Sequence, residues 1–463
     1  MEKLTRKYGL PTAICLVIGT VIGSGIFFKA QNVLNATGGN MPLGIAAWLI
    51  TGALMIICSL QFATMANKYE RINGVVDYAE ATCGRSYAYY LAWFMIHIYY
   101  PGMTSVLAWV SARYFGVLFG WDMTGANVIL MTGFFLILSY TVNALSPKLA
   151  GKFQVSATAI KLIPIALVAI VGTVAGLTNG TLTENLNNMA GPSGGVSGGL
   201  FAAIVSTVFA YEGWIIATSI NAELKNPKRT LPLALVLGSV VVVAAYVLYY
   251  IGVAGGASNE ELMKEGTFVS LLNLFGPVGG TILNVCIVIS CLGTLNGLML
   301  GATRGIYALA ARGEGPKPEM FAQVDKSSNM TVNSSVYGLC LCAVWLVYFY
   351  GANLTEGWFG PFNFDSSELP IITLYGFYIP MFIQWMRHEK DLGFVKRYLL
   401  PILSLGACIF MIFSAIYAHG VIPFQAAQAE GRFALPVLFY MILFGVIMLI
   451  GHFFSPLHRL RKR

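Results

Sequence analysis

The stretch VIGTVIGSGIFF, residues 17–28, sets Gly19, Gly23 and Gly25 inside an apolar run that begins at Pro11. A glycine costs a helix about 1 kcal/mol relative to alanine, so three in one run need a reason. Gly23 and Gly25 lie about 13 residues beyond Pro11, roughly 20 Å along a helix. That is deep in a hydrocarbon core of about 30 Å. Two readings fit: close helix packing through small residues, or a span that unwinds at mid-membrane. A second run, LFAAIVSTVFAYEGWIIATSI at 200–220, has the same design. Its segment Phe209-Ala210-Tyr211-Glu212-Gly213-Trp214 brings a glycine and a carboxylate to a matching depth.

Composition points to a bilayer as solvent. Of 463 residues, 57% are hydrophobic and 10% charged, against about 25% charged in soluble domains. Twelve apolar stretches read as helical spans: 11–36, 43–67, 86–117, 125–144, 153–176, 199–222, 232–254, 277–311, 333–351, 369–387, 397–418 and 433–454. Strands of alternating polarity are absent, which argues against a transmembrane β-barrel. With the N-terminus inside, 23 of the 28 Lys and Arg fall on inside segments. The positive-inside rule then puts both termini in the cytoplasm. The expectation is an all-α polytopic membrane protein of twelve transmembrane helices, forming one domain over 1–463. The interrupted spans are the first and the sixth. Five spans separate their starts, and five is odd, so a second five-span unit starts on the opposite side of the membrane. That is the pointer to an inverted repeat with two broken helices, with units at about 11–176 and 199–387 and helices 11 and 12 at about 397–454.

A broken helix frees backbone groups, and at membrane depth these are tolerated only where they line a cavity or bind something. Free N–H groups after Gly25 carry partial positive charge and suit a carboxylate; the last carbonyls of the first halves suit an ammonium. One ligand with both charges, an amino acid, satisfies both ends. Lys161 reads as the only lysine deep in a span, and intramembrane charges usually face a cavity or a partner. Beside the span 1 break its ammonium would hold freed carbonyls, doing the work of a sodium ion, or shuttle a proton. Glu212 has two open readings: contact with a polar or cationic substrate or with Lys161, or a carboxyl lining a vestibule. His97, four residues before Pro101, reads as a satisfied core histidine rather than a proton relay. Gly293, Gly297, Gly301 and Gly305 form an i+4 stripe on span 8 that admits a close neighbour helix. Gly191-Pro192-Ser193-Gly194-Gly195 lacks the Lys-Ser/Thr ending of a phosphate loop and reads as an external linker.

Other classes are poorly supported. The basic residues are scattered over short loops, so the net charge of +8 is an orientation signal and not a nucleic-acid surface. The eight cysteines form no CxxC pair, and neither a metal nor a cofactor is expected. His97, His388, His419, His452 and His458 make no i+4 pair, which argues against a membrane-embedded enzyme. The first apolar run carries no small-residue cleavage site and continues into further spans, so it does not read as a signal peptide. A receptor would normally add a soluble signalling domain, and none is evident.

In VIGTVIGSGIFF (17–28), FAYEGW (209–214), ELKNPKRTLPLA (223–234) and Lys161 followed by Ile163-Pro164, the chain resembles the amino acid–polyamine–organocation transporter superfamily. Within it the sequence is most similar to the L-amino-acid exchanger branch and its bacterial serine/threonine exchanger relatives. The resemblance implies a LeuT-like fold and sodium-independent amino acid exchange by alternating access; the alternative is a proton-coupled uptake symporter. It implies that backbone amides of Gly23, Ser24, Gly25 and Ile26 hold the substrate carboxylate. Carbonyls of Ile22, Phe209, Ala210 and the neighbouring Tyr211, Glu212 and Gly213 would take the amino group. Phe209 would gate the substrate, Lys161 would replace a sodium site, and Tyr246 would help span 1 close. The chain departs from the pattern at Asn73-Gly74, where many relatives have Gly-Gly, and in the long stretch from Gly351 to Leu369. No cysteine matches the one that links animal relatives to a single-span partner, so the expected partners are an amino acid and the lipid bilayer, with no obligatory protein subunit.

Overall fold

The structure, a computed structural model, describes residues 9–69, 74–145, 147–187, 195–217, 224–325, 331–355 and 357–455. Among these residues the long regular elements are all helices. Among the described residues nine helices are long and apolar enough to cross a membrane, and the bent pair Leu10–Val21 and Gly25–Ala36 adds a tenth. These ten match the expected spans except the third and the sixth. Span 6 is represented by a shorter apolar helix, Gly195–Tyr211. Span 3 runs as helix from Arg85 through a π-helical turn at Met95–Tyr99 to Val117. Tyrosines, His97, Pro101 and three serines dilute its hydropathy. Most of Tyr100–Val117 is buried, so these side chains meet protein and need not be uniformly apolar. Of the expected linker at 191–195, residues 191–194 lie outside the described residues, and Gly195 is the first residue of helix Gly195–Tyr211.

The chain forms two compact units. The first comprises Met1–Ala88, Ile165–Pro277 and Ile371–Ala418; the second comprises Tyr89–Pro164, Val278–Pro370 and His419–Arg463. Spans 1, 2, 6, 7 and 11 therefore belong to the first, and spans 4, 8, 9 and 12 to the second. Each unit draws on both halves of the expected repeat.

In the first unit, span 7 is the central post, a helix from Pro227 to Gly256. It starts five residues before the expected position because Pro227 occupies the first helical turn, where its missing N–H goes unused. Asn226 precedes it with a left-handed φ of 51°. The far end of span 7 meets the C-terminal part of span 5 backbone to backbone. A Cβ added to Gly252 would strike the Val168 carbonyl, and one on Gly255 would strike that of Gly172. At that end Asn185 donates to the carbonyls of Ala254 and Ala257 at 2.7 and 2.9 Å. Its own amide oxygen accepts from the Asn259 N–H at 2.9 Å, and Asn259 reaches the Gly39 carbonyl at 2.8 Å. At the other end, Lys68 pairs with Glu389 at 3.0 Å and Asp391 at 2.6 Å. Hydrogen bonding to Lys68 holds the exposed Asp391 carboxyl below its ordinary pKa.

In the second unit the glycine stripe of span 8 does what its spacing predicts. Gly293 faces Ala157 of span 5, while Gly301 and Gly305 face Tyr100 and Ile96 of span 3. Asn143 and Asn296 join spans 4 and 8 by a buried amide bond of 2.8 Å. His97 is a satisfied core residue: Nδ1 is 2.9 Å from the Trp93 carbonyl and Nε2 is 2.8 Å from the Tyr337 hydroxyl. The long stretch after Gly351 is tied back by the Tyr348 hydroxyl, which donates to the Phe362 carbonyl at 2.6 Å. It ends at Glu368, 3.0 Å from His419.

The backbone contact between spans 5 and 7 leaves no room for a side chain. Gly252→Leu is expected to destabilise the fold by about 1–3 kcal/mol, the usual cost of overpacking, or to prevent folding. Gly133→Leu, where a Cβ would meet nothing within 4 Å, is the matched control. Thermal unfolding and size-exclusion profiles in detergent would check this; equal profiles for the two variants would contradict it.

Candidate functional site

The site begins with the interruption of span 1. Helix Leu10–Val21 ends at Ile22, which leaves the helical region at φ −66°, ψ 113°. Gly23 and Ser24 form the bend, and helix Gly25–Ala36 departs at 51°. No side chain caps this second helix. Its first N–H groups, on Gly25, Ile26 and Phe27, have no acceptor within the helix. They are buried, and the Ser24 hydroxyl beside them is buried without a hydrogen-bond partner. Such an end attracts an anion.

Span 6 is interrupted too. Helix Gly195–Tyr211 gives way to a turn at Glu212-Gly213, and helix Trp214–Ala217 resumes. Gly213 has φ +111°, a conformation that residues with a Cβ rarely adopt.

The two breaks meet. Gly25 lies against the backbone of Ala210, and Gly213 lies against the Thr20 carbonyl; a Cβ on either glycine would collide. Tyr246 of span 7 binds them together, its hydroxyl 3.1 Å from the Val21 carbonyl and 2.9 Å from that of Ala210. Both carbonyls belong to helix ends, which lack intrahelical donors. Around this junction the Trp48 ring lies 5.5 Å from that of Tyr246 and 5.7 Å from that of Tyr211. The Thr51 and Thr207 hydroxyls are 2.6 Å apart.

Ile22, Gly23, Ser24, Gly25 and Ile26 are thus brought together with Phe209, Ala210, Tyr211, Glu212, Gly213 and Tyr246. Tyr211 gives its hydroxyl to the Trp48 carbonyl at 2.9 Å, so what it offers the junction is backbone. Phe209 is buried, its ring 5.8 Å from that of Phe28. Glu212 is half-buried and within electrostatic reach of Tyr375 and Tyr378 of span 10. Lys161 belongs to the second unit. It sits buried at a one-residue interruption between helices Pro147–Ile160 and Leu162–Leu167, where its N–H donates to the Ala157 carbonyl at 3.0 Å.

One reading of the sequence needs correction: Lys161 is not the only lysine deep in a span. Lys29, on the second helix of span 1, is 0% exposed. Its ammonium stands over the Phe28 ring at 5.0 Å and the Phe209 ring at 5.1 Å. The signal was its spacing, four residues beyond Gly25, which puts it on the same helix face.

Over residues 8–455 the chain matches the sequence profile of the amino acid permeases. It belongs to the amino acid permease family. That family lies in the superfamily whose motifs the sequence resembles. The serine/threonine exchanger SteT of Bacillus subtilis (strain 168) is 29% identical over 426 residues, covering 89% of this chain and 92% of that protein. The b(0,+)-type amino acid transporter 1 of Oryctolagus cuniculus is 28% identical, over 67% of this chain and 64% of its own length. A crystal structure of MhsT in complex with L-phenylalanine superposes with a TM-score of 0.59 at 16% identity, covering 90% of this chain and 100% of that chain. That likeness shows the fold, which is LeuT-like. This permease is a multi-pass membrane protein that transports amino acids, and not an enzyme.

Removing the Tyr246 hydroxyl would leave the Val21 and Ala210 carbonyls without their donor in a dry interior. Tyr246→Phe is expected to cost about 1–3 kcal/mol, the usual penalty for orphaned buried acceptors, seen as a lower unfolding midpoint in detergent. An unchanged midpoint would mean that other donors serve these carbonyls.

Proposed function

We propose that this permease is a sodium-independent amino acid exchanger of the cytoplasmic membrane, working by alternating access with both termini inside. The single observation that carries the reading is the meeting of the two breaks. It sets uncapped, buried N–H groups of one helix beside the terminal carbonyls of another. The substrate carboxylate binds the amides of Gly23, Ser24, Gly25 and Ile26. Its ammonium binds carbonyls of Ile22, Phe209 and Ala210 and of the adjoining Tyr211-Glu212-Gly213 turn, and Phe209 closes over it. Tyr246 couples the ends of spans 1 and 6, so that they close together. Lys161 supplies a fixed positive charge that takes over the work of a bound sodium ion. The inverted repeat is supported by membership of the units, since spans 1 and 2 share one with spans 6 and 7, and span 4 shares the other with span 9.

The second reading is a proton-coupled symporter. What favours it is a pair of ionisable side chains in apolar spans, Lys161 buried and Glu212 half-buried, since burial is how proton carriers are tuned.

Purified protein in sodium-free liposomes separates the two. Labelled amino acids offered outside, with serine and threonine tested first because of the SteT relationship, are expected to enter only vesicles preloaded with unlabelled substrate. Equal entry into empty vesicles, rising with an inward proton gradient, would favour the symporter. Lys161→Ala is expected to abolish or uncouple transport; exchange unchanged by it would remove Lys161 from the coupling scheme.

A further inference from the structure

We infer that Lys29 is a positioning residue for the gate, a cationic pin that holds the Phe209 ring over the substrate. The inference rests on the proposal that Phe209 closes the site, and it adds a residue to that closure.

Lys29 lies one helical turn beyond Gly25, about 6 Å along the axis. The two share a face, and at Gly25 that face abuts Ala210 of span 6. The ammonium is therefore delivered to the seam between helices Gly25–Ala36 and Gly195–Tyr211. There it stands 5.0 Å from the centroid of Phe28 and 5.1 Å from that of Phe209. The two rings meet edge to face at 75°. Ring and ammonium come from different helices, so the contact exists only while the helices are together. Backbone and side chain are held separately at this point: Tyr246 fixes the Ala210 carbonyl at 2.9 Å, and Lys29 fixes the ring one residue earlier.

Energetics support a role beyond filling space. A fully buried ammonium in a membrane span is costly, and methionine of similar length would fill the same volume without that cost. An aromatic face returns part of the cost, and returns most when water is excluded. If the helices part, the ammonium regains water and the ring is freed. The pin thus favours the closed arrangement without touching the substrate.

A double-mutant cycle in proteoliposomes tests this, with a labelled mixture of protein amino acids as probe and half-saturation and maximal exchange rate as readouts. Lys29→Met and Phe209→Leu are each expected to raise half-saturation by about 5- to 30-fold, the range of a desolvated cation–π contact. The double variant should be no worse than either single one. Lys29→Arg, which keeps a cation for the ring, should restore most of the affinity, and Phe209→Tyr should lose little. Additive single effects, or no rescue by arginine, would overturn the pin. Should Lys29→Met fail to fold, the Phe209→Leu and Phe209→Tyr pair decides, since equal loss in both is incompatible with a ring-face contact. Gly25→Leu separates this from the reading beneath it. Wild-type half-saturation in Gly25→Leu would sink the substrate site at the breaks, whereas its loss together with additive Lys29 and Phe209 effects would sink the pin alone.

Discussion

A backbone that leaves the helical path inside a bilayer has no water to turn to, and this constraint shapes the first unit. Two spans break at matching depth, so two sets of N–H and carbonyl groups need partners away from solvent. The chain meets part of the need by pressing the breaks together, with Gly25 on Ala210 and Gly213 on Thr20. It meets another part with one tyrosine hydroxyl, shared between the Val21 and Ala210 carbonyls. The N–H groups at the start of helix Gly25–Ala36 receive no side-chain cap. That remainder is where the proposed function puts the substrate carboxylate.

Close contact of this kind demands small residues and a firm frame. Glycines on spans 5 and 7 bring two backbones together in the first unit, and those of span 8 admit neighbouring side chains in the second. Aromatic rings fill the space around the junction, with Trp48, Tyr211 and Tyr246 in mutual contact. Some polar residues within the spans are satisfied by neighbours, as His97 is by Trp93 and Tyr337 and Asn143 by Asn296. Each polar pair has few alternatives in a dry interior, so such pairs hold spans in one register.

Much of this was legible in the sequence. Charged residues are too scarce for a water-solvated fold, and the distribution of Lys and Arg suggested an orientation. Glycines at mid-span marked both breaks: Gly213 takes a positive φ, and Gly25 lets span 1 touch the backbone of Ala210. The i+4 glycine stripe of span 8 announced close packing, and the placing of His97 as a core residue followed from its isolation. Less legible was Lys29, because no local pattern says that a lysine of span 1 stands over a ring of span 6.

The sequence by itself determined the solvent, the helical class and the positions of the interruptions, because these depend on local composition and on the cost of unpaired backbone in hydrocarbon. Only the tertiary structure decided which freed groups face one another. It put Gly25 on Ala210, sent the Tyr246 hydroxyl to both helix ends, spent that of Tyr211 on Trp48, and buried Lys29 against Phe209. These pairings join residues up to 225 positions apart. They follow from how helices cross and which faces they share, and no local pattern records that.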